Sequence, residues 1–339
     1  MGGAGPLSRV NFFVIGAAKC GTTTVYDRLA RRPDVFLSRV KEPNHYARSI
    51  DPARFSPAFR ANLHDDWAAY FSRRPLAERQ IGFIQDAERY AALFEEAGPE
   101  HRLVGECSTS YLWDPEAPAA LHAAHPQAQV VVVLRHPVER LFSHYLMARK
   151  YGFTQLPLLE AVAQDGAHPD PGWGRSELFE ELGHYAPQLR RWLAFFPLGA
   201  GPGRLQVLLS EDLRDPIRWA EFVASLGLPV LESGAADPGD TSELGAVDRP
   251  APARGEDANR AGLARFEKLN HWMTRRGLKR PLGNLLPAAA KARLLRWYYT
   301  DRDLPRMTPQ ERAALLPRYA EDTRWVAECI GRDLSPWTR

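Results

Sequence analysis

Gln129 to Leu134 reads Gln-Val-Val-Val-Val-Leu, an apolar run with no polar alternation. A strand solvated on one face alternates. A strand that is apolar throughout is covered on both faces, as in a parallel sheet with helices packed on each side. Pro137 follows at the first position of a helix, where its missing N–H and fixed φ cost nothing. Val138, Leu141, Phe142, Tyr145 and Leu146 then recur at i, i+3, i+4, i+7 and i+8, one apolar face. Strand-like stretches at Val10–Ile15, Leu103–Cys107 and Leu205–Leu209 alternate with helix-like ones at Thr22–Arg32 and Tyr185–Phe196. The expected fold class is α/β, a mostly parallel sheet flanked by helices.

The chain of 339 residues is long enough for a large core. A single domain over 1–339 is expected, with its core at about 10–230. The segment from about 232 to 259 is rich in Gly, Pro, Ala and Asp and reads as a long mobile loop. A helical C-terminal portion over 260–335 follows, with helices expected at 260–276, 288–299 and 309–330. Lys plus Arg is 44 against 41 for Asp plus Glu, a net charge of +3 that gives no argument for a nucleic-acid partner. No apolar run reaches the ~18 residues of a membrane span, and Lys19 cuts off the short apolar stretch near the start. Cys20, Cys107 and Cys329 are scattered and lack metal-ligand spacing. A soluble, reduced, cytoplasmic protein without a bound metal is the expectation.

The first strand-like stretch runs into Gly16-Ala-Ala-Lys19-Cys20-Gly21-Thr22-Thr23-Thr24 and then a helix. Small residues let backbone wrap an anion closely, and the helix start offers unpaired N–H groups at the positive end of the dipole. Lys19 adds a mobile charge, and the threonines add hydroxyl donors. This is a P-loop-type phosphate cradle, but not that of an ATP or GTP enzyme. There the lysine directly follows the second glycine and precedes a magnesium-binding Ser or Thr. Here Thr22 takes that position, and the lysine has moved into the loop, which suits a single 5′-phosphate with a leaving bond beside it. A small-molecule kinase or a non-catalytic nucleotide-binding module is the rival reading, and a Gly-rich turn with an incidental lysine is the plainest one.

A second anchor is Leu134-Arg135-His136-Pro137-Val138-Glu139-Arg140-Leu141-Phe142-Ser143-His144-Tyr145. Arg135 leaves the valine-rich strand at its carboxyl end, where ligands bind open α/β sheets. Ser143 lies two turns into the next helix. A guanidinium and a hydroxyl are the groups of a second phosphate site. For Arg135 alone an ordinary salt bridge is the competing reading. Arg140 is expected to make a structural ion pair, His144 and Tyr145 to pack, and Trp113, Trp173 and Trp192 to be core.

Lys19-Cys-Gly-Thr-Thr and the later Leu-Arg-His-Pro-Val-Glu-Arg-Leu-Phe-Ser-His-Tyr together resemble the sulfotransferases that use 3′-phosphoadenosine 5′-phosphosulfate. The resemblance is closest to the branch with bacterial sulfotransferases and heparan sulfate sulfotransferase domains. It extends to Lys41-Glu42-Pro43-Asn44-His45-Tyr46, Gly105-Glu106 with Ser110-Tyr111-Leu112, Gly183-His184-Tyr185, and Gly331-Arg332-Asp333-Leu334 with Trp337. It implies that Lys19, Cys20, Gly21, Thr22, Thr23 and Thr24 hold the 5′-phosphosulfate, and that Arg135 and Ser143 hold the 3′-phosphate. It also implies a metal-free transfer to a hydroxyl or amine of a carbohydrate, lipid or secondary metabolite. Near-neutral charge argues against a long polyanionic acceptor, which favours a strongly basic groove.

The resemblance implies a glutamate base, and Glu42 fits its place. His45 is the rival, since an unperturbed imidazole titrates nearer neutrality. A carboxylate base needs positioning or burial. The plainer reading is that Glu42 pairs with Lys41 or Arg39. Glu106 reads as a structural hydrogen-bonding residue. Two features depart from the family pattern. Cys107 stands where many relatives carry a lysine after the glutamate, so a charge on the acceptor side is expected to be missing. No Gly- and Lys-rich nucleotide-covering loop is found near the C-terminus. Arg275, Arg276, Lys279 and Arg280 read as a solvated helix end.

Overall fold

A computed structural model describes residues 5–63, 66–229, 263–276, 278, 294, 297–300 and 304–339. The expected loop at 232–259 and most of the expected helix at 288–299 lie outside these residues, as do Lys279 and Arg280. The chain forms two compact units, one of residues 1–49, 65–135 and 187–258, the other of residues 50–64, 136–186 and 259–339.

The first unit is built on the parallel sheet. Its strands are β1 (Phe12–Gly16), β2 (Val35–Leu37), β5 (Leu103–Cys107), β6 (Gln129–Leu134) and β7 (Leu205–Leu209). A separate parallel ladder joins β3 (Val40–Lys41) to β4 (Arg79–Gln80). The main sheet runs β2-β5-β1-β6-β7. Every residue of β1, β5 and β6 is buried, so the valine-rich run is the two-sided strand its composition demands. The backbones of β1 and β5 approach closely at one point: a Cβ on Gly105 would lie 1.9 Å from the Phe12 carbonyl oxygen, so only glycine fits there. From β1 the chain goes to β2 and β5 on one side, then crosses to β6 and β7 on the other. The topological switch therefore falls at β1, and the ligand crevice of an open α/β sheet lies outside the carboxyl ends at that point.

The second unit gathers around the helix Pro137–Tyr151. Its apolar stripe of Val138, Leu141, Tyr145 and Ala148 packs with Leu158, Ala161, Val162, Phe179, Leu315 and Tyr319. The Asp165 carboxylate takes the N–H groups of Glu177, Leu178 and Phe179 and so pins the segment beneath that stripe. Two expectations are corrected here. Residues 260–276 are not one helix: Leu263–Ala264 pairs antiparallel with Tyr299–Thr300, and the helix spans only Glu267–Arg275. The expected helix at 309–330 is two α-helices, Pro309–Leu315 and Ala320–Ile330, joined by a 3-10 turn at Leu316–Tyr319. Pro317 sits in that turn, where it lacks the N–H that continued α-helix requires.

Candidate functional site

Gly16 to Gly21 forms the turn between β1 and the helix Thr22–Ala30, at the switch of the sheet. Gly21 takes φ +102° as the N-cap, and a Cβ there would also lie 2.6 Å from Leu213 Cδ1. Both conformation and space call for glycine. Because glycine has no capping side chain, the first-turn N–H groups of Thr22, Thr23 and Thr24 are left to whatever stands at the helix end. Thr22 is buried, and Thr23 and Thr24 are half-buried. Lys19 is half-buried in the middle of the loop and holds φ +71°, a left-handed turn that folds the loop back on itself. Cys20 is buried, and its N–H donates to the Ala17 carbonyl, 3.2 Å away, tightening the same turn. Arg28 anchors the helix from the other end, donating to the Leu213 carbonyl and lying over the Trp219 ring.

Glu42 enters from the segment after β3. It holds φ +64°, and Asn44 holds φ +53°. Two left-handed residues on either side of Pro43 are a costly turn, and the hydrogen bonds around it show what pins it. The Glu42 N–H donates to the Cys107 carbonyl at the end of β5, and the Gly82 N–H donates to the Glu42 carbonyl. Asn44 Nδ2 donates to the carbonyls of Glu42 and Gly82, and Asn44 Oδ1 accepts from Ser110. The carboxylate itself is 9 % exposed by residue and is held at both oxygens: Lys41 Nζ lies 3.0 Å from Oε1, and Thr109 Oγ1 donates to Oε2 at 2.9 Å. The expected pairing of Glu42 with Lys41 is present, whereas Arg39 reaches toward Glu78 and Glu96. Burial alone would lower the Lys41 pKa, but the Glu42 carboxylate and Cys107 outweigh it and hold the ammonium at about 12. Lys41 stays charged beside the Glu42 carboxylate.

Lys41 also answers the departure at Cys107. The buried Cys107 lies within electrostatic reach of Lys41, and burial pushes its thiol up to about 12. A positive charge thus stands at the end of β5 although Cys107 itself is not a lysine. It arrives from the neighbouring segment instead, directly before the glutamate. Thr109 as a hydroxyl donor to Glu42 was not singled out from sequence. The run Ser108-Thr109-Ser110 just past a buried strand was the signal available for it.

His45 is built into an aromatic cluster. Its ring stacks on Tyr90 at 4.0 Å and 5°, and Nδ1 is 2.8 Å from the Ile84 carbonyl. Burial lowers its pKa. Glu106 is fully buried and is met by hydroxyls: Ser108 at 2.6 Å, Tyr111 at 2.5 Å and Tyr90 at 3.3 Å. Ser108 also accepts the Asn44 N–H, so Glu106 braces the Glu42 turn through one hydroxyl. Burial raises the Glu106 pKa to about 7 against the opposing hydroxyls. A carboxyl whose pKa rises on folding contributes stability below its unfolded value, lost as pH climbs through about 7. The melting temperature of the native chain should therefore fall between pH 5 and pH 8 more steeply than that of Glu106→Gln. Parallel slopes in a thermal-melt series at several pH values would remove Glu106 as the cause.

Arg135 closes β6 in the first unit and is half-buried. Ser143, also half-buried, lies on the helix Pro137–Tyr151 of the second. Arg140 is fully buried, but its described partners are the Phe179 carbonyl and His144 Nδ1, not a carboxylate. The role is structural as expected, while the expected ion pair is replaced by a buried carbonyl that needs a donor. His144 packs on Phe179, Tyr145 donates to the Leu156 carbonyl, and Trp192 is fully buried with Nε1 on the Tyr111 carbonyl.

Residues 11–165 match the model of the sulfotransferase family. Carbohydrate sulfotransferase 15 of Rattus norvegicus is 36% identical over 157 residues, which is 40% of this chain and 27% of that protein. Heparan sulfate glucosamine 3-O-sulfotransferase 6 of Homo sapiens is 36% identical over 131 residues, 37% of this chain and 36% of that protein. Only a minor part of either relative's own length is matched. A crystal structure of a sulfotransferase from Alicyclobacillus acidocaldarius superposes with a TM-score of 0.62 at 25% identity, covering 98% of this chain and 99% of that one. The likeness read from the motifs is borne out, and with it the α/β fold class.

Proposed function

We propose, on the premise that this chain is a relative of the sulfotransferases in sequence and fold, that it moves a sulfuryl group from 3′-phosphoadenosine 5′-phosphosulfate to an acceptor hydroxyl or amine. The observation that carries the reading is the turn at the switch of the sheet, with Lys19 inside it and a helix start without a side-chain cap behind it. Gly16 and Gly21 let the turn pack against Leu112 and Leu213, and that shape supports a reading in which its N–H groups face a phosphate. When bound, the donor supplies an activated sulfur whose bridging bond to the 5′-phosphate is the one broken.

The chain's own residues do the rest. Backbone N–H groups and hydroxyls of Thr22, Thr23 and Thr24 hold the 5′-phosphate at the helix dipole. Cys20 and Gly21 shape the turn. Lys19 offsets the charge that grows on the departing phosphate oxygen. Arg135 and Ser143 hold the 3′-phosphate. Glu42 takes the acceptor proton as the new bond to sulfur forms, and the bisphosphate nucleotide leaves. Lys41 and Thr109 hold the Glu42 carboxylate in position. His45, stacked on Tyr90, is assigned to support rather than proton transfer. The acceptor is a carbohydrate, lipid or secondary-metabolite group.

Calorimetry in EDTA tests the reading. The 3′,5′-bisphosphate nucleotide should bind ~10–150-fold more tightly than AMP, the expected gain for one charge-assisted phosphate contact. Equal affinity for ATP, or a strict need for magnesium, would instead support a kinase-like enzyme. Mass spectrometry across sugar, lipid and phenolic acceptors should then show a product heavier by one SO3 group.

A further inference from the structure

The helix Glu267–Arg275 is turned inside out. Its polar residues face the protein. Asn270 and Thr274 are fully buried, and their side chains donate to the carbonyls of Lys150 and Tyr151. His271 Nδ1 sits 2.7 Å from the Gly152 carbonyl, and Glu267 is ion-paired with Arg149. These are the last carbonyls of the helix Pro137–Tyr151 and the glycine that ends it, groups with no intrahelical donor. The inward face of one helix thus caps the end of another, and that task takes Asn270, His271 and Thr274.

The outward face is left apolar and cationic. Phe266, Leu269 and Trp272 are 51%, 48% and 51% exposed, and Trp297, 51% exposed, lies 6.1 Å from the Phe266 ring. Arg265, Lys268, Arg275 and Arg276 are exposed around them. The carboxylate within Arg265–Arg276 is Glu267, already paired. Arg265, Phe266, Glu267, Lys268 and Leu269 line an open cleft of about 490 Å³.

We infer that this face docks on an anionic lipid surface, with Phe266, Leu269, Trp272 and Trp297 at the boundary of headgroups and acyl chains and the four cations among the headgroup phosphates. Aromatic rings with a basic fringe, with no carboxylate but the paired Glu267 among residues 265–276, match that boundary in both polarity and charge. Two other occupants fit worse. A second copy would set four cations against four cations across a twofold contact. A glycan needs neutral donors and acceptors for its hydroxyls, and this helix has turned Asn270, His271 and Thr274 inward. The inference stands apart from the transfer chemistry and does not depend on it.

The test is sedimentation of the full chain with vesicles of phosphatidylcholine alone or doped with phosphatidylglycerol. Binding to the doped vesicles alone, weakened by salt, is expected. Leu269→Ser with Trp272→Ser, and separately Lys268→Glu with Arg275→Glu, should each lower bound protein at least about tenfold. Ile217→Ser, at an exposed apolar residue of the other unit, should change nothing. Circular dichroism checks that each variant folds. If one does not, the salt dependence of the unmodified chain still decides between docking and its absence. No binding to doped vesicles overturns the inference. So does binding that survives charge reversal, a dimer that Trp272→Ser dissolves, or stronger retention on an anionic polysaccharide than on the vesicles.

Discussion

Glu42→Gln is expected to fold, to bind the bisphosphate nucleotide with near-native affinity, and to lose ~10²–10⁴ of its turnover with a hydroxyl acceptor, the usual cost of losing a general base. The substitution keeps the shape and can keep the Thr109 contact, but it removes the basic site and leaves Lys41 without its counter-charge. Because Lys41 is buried, that loss also carries a stability cost of about 3 kcal/mol or more, the typical penalty for breaking a buried pair. Turnover must therefore be measured below the melting temperature of the variant. His45→Asn should lose far less, since the His45 ring is committed to Tyr90 and the Ile84 carbonyl. Steady-state kinetics of both variants with one competent acceptor decide the order. If His45→Asn is the inactive one and Glu42→Gln keeps more than about a tenth of the rate, the base is His45 and the Lys41–Glu42 pair is structural.

Lys19→Ala should lower kcat by ~10²–10³ while changing nucleotide affinity much less. The lysine lies in a loop whose proposed phosphate-holding groups are chiefly backbone and hydroxyl, so binding has other supports. Its charge matters most as the leaving oxygen gains charge, which is a transition-state interaction. Pre-steady-state kinetics with saturating donor separate the two effects. A variant that binds weakly but turns over normally once saturated would make Lys19 a binding residue alone.

The parts of the molecule that sequence made legible are those where local chemistry and fold agree. The valine run can only be a two-sided strand. Gly-Ala-Ala-Lys-Cys-Gly between a strand and a threonine-rich helix start reads as a tight turn, and a tight turn stands there. Other features depended on distant partners. Val35–Leu37 is too short a run to stand out, and it becomes a strand because β5 lies beside it. Thr109 reaches Glu42 across 67 positions, and Tyr90 reaches Glu106 across 16. The helix Glu267–Arg275 runs against the usual reading altogether. Leu269 and Trp272 have the spacing of a core stripe, but the carbonyls at the end of a neighbouring helix compete for this surface and win it with Asn270, His271 and Thr274. Hydrophobic periodicity marks one face of a helix without saying what the opposite face has to do.

The helix that begins at Gly21 has a consequence for how long the protein survives. A side-chain cap is worth about 1 kcal/mol, and this helix begins without one. On the proposed function a phosphate at that end would supply the acceptors instead, and at a hundredfold excess over its dissociation constant any ligand confined to the folded state adds about 2.7 kcal/mol. The resting chain would then melt earlier than the loaded one and spend more time open to proteases. Abundance in the cell would track nucleotide supply, with no dedicated degradation signal and no change in synthesis. A purified sample would keep best when stored with the spent nucleotide.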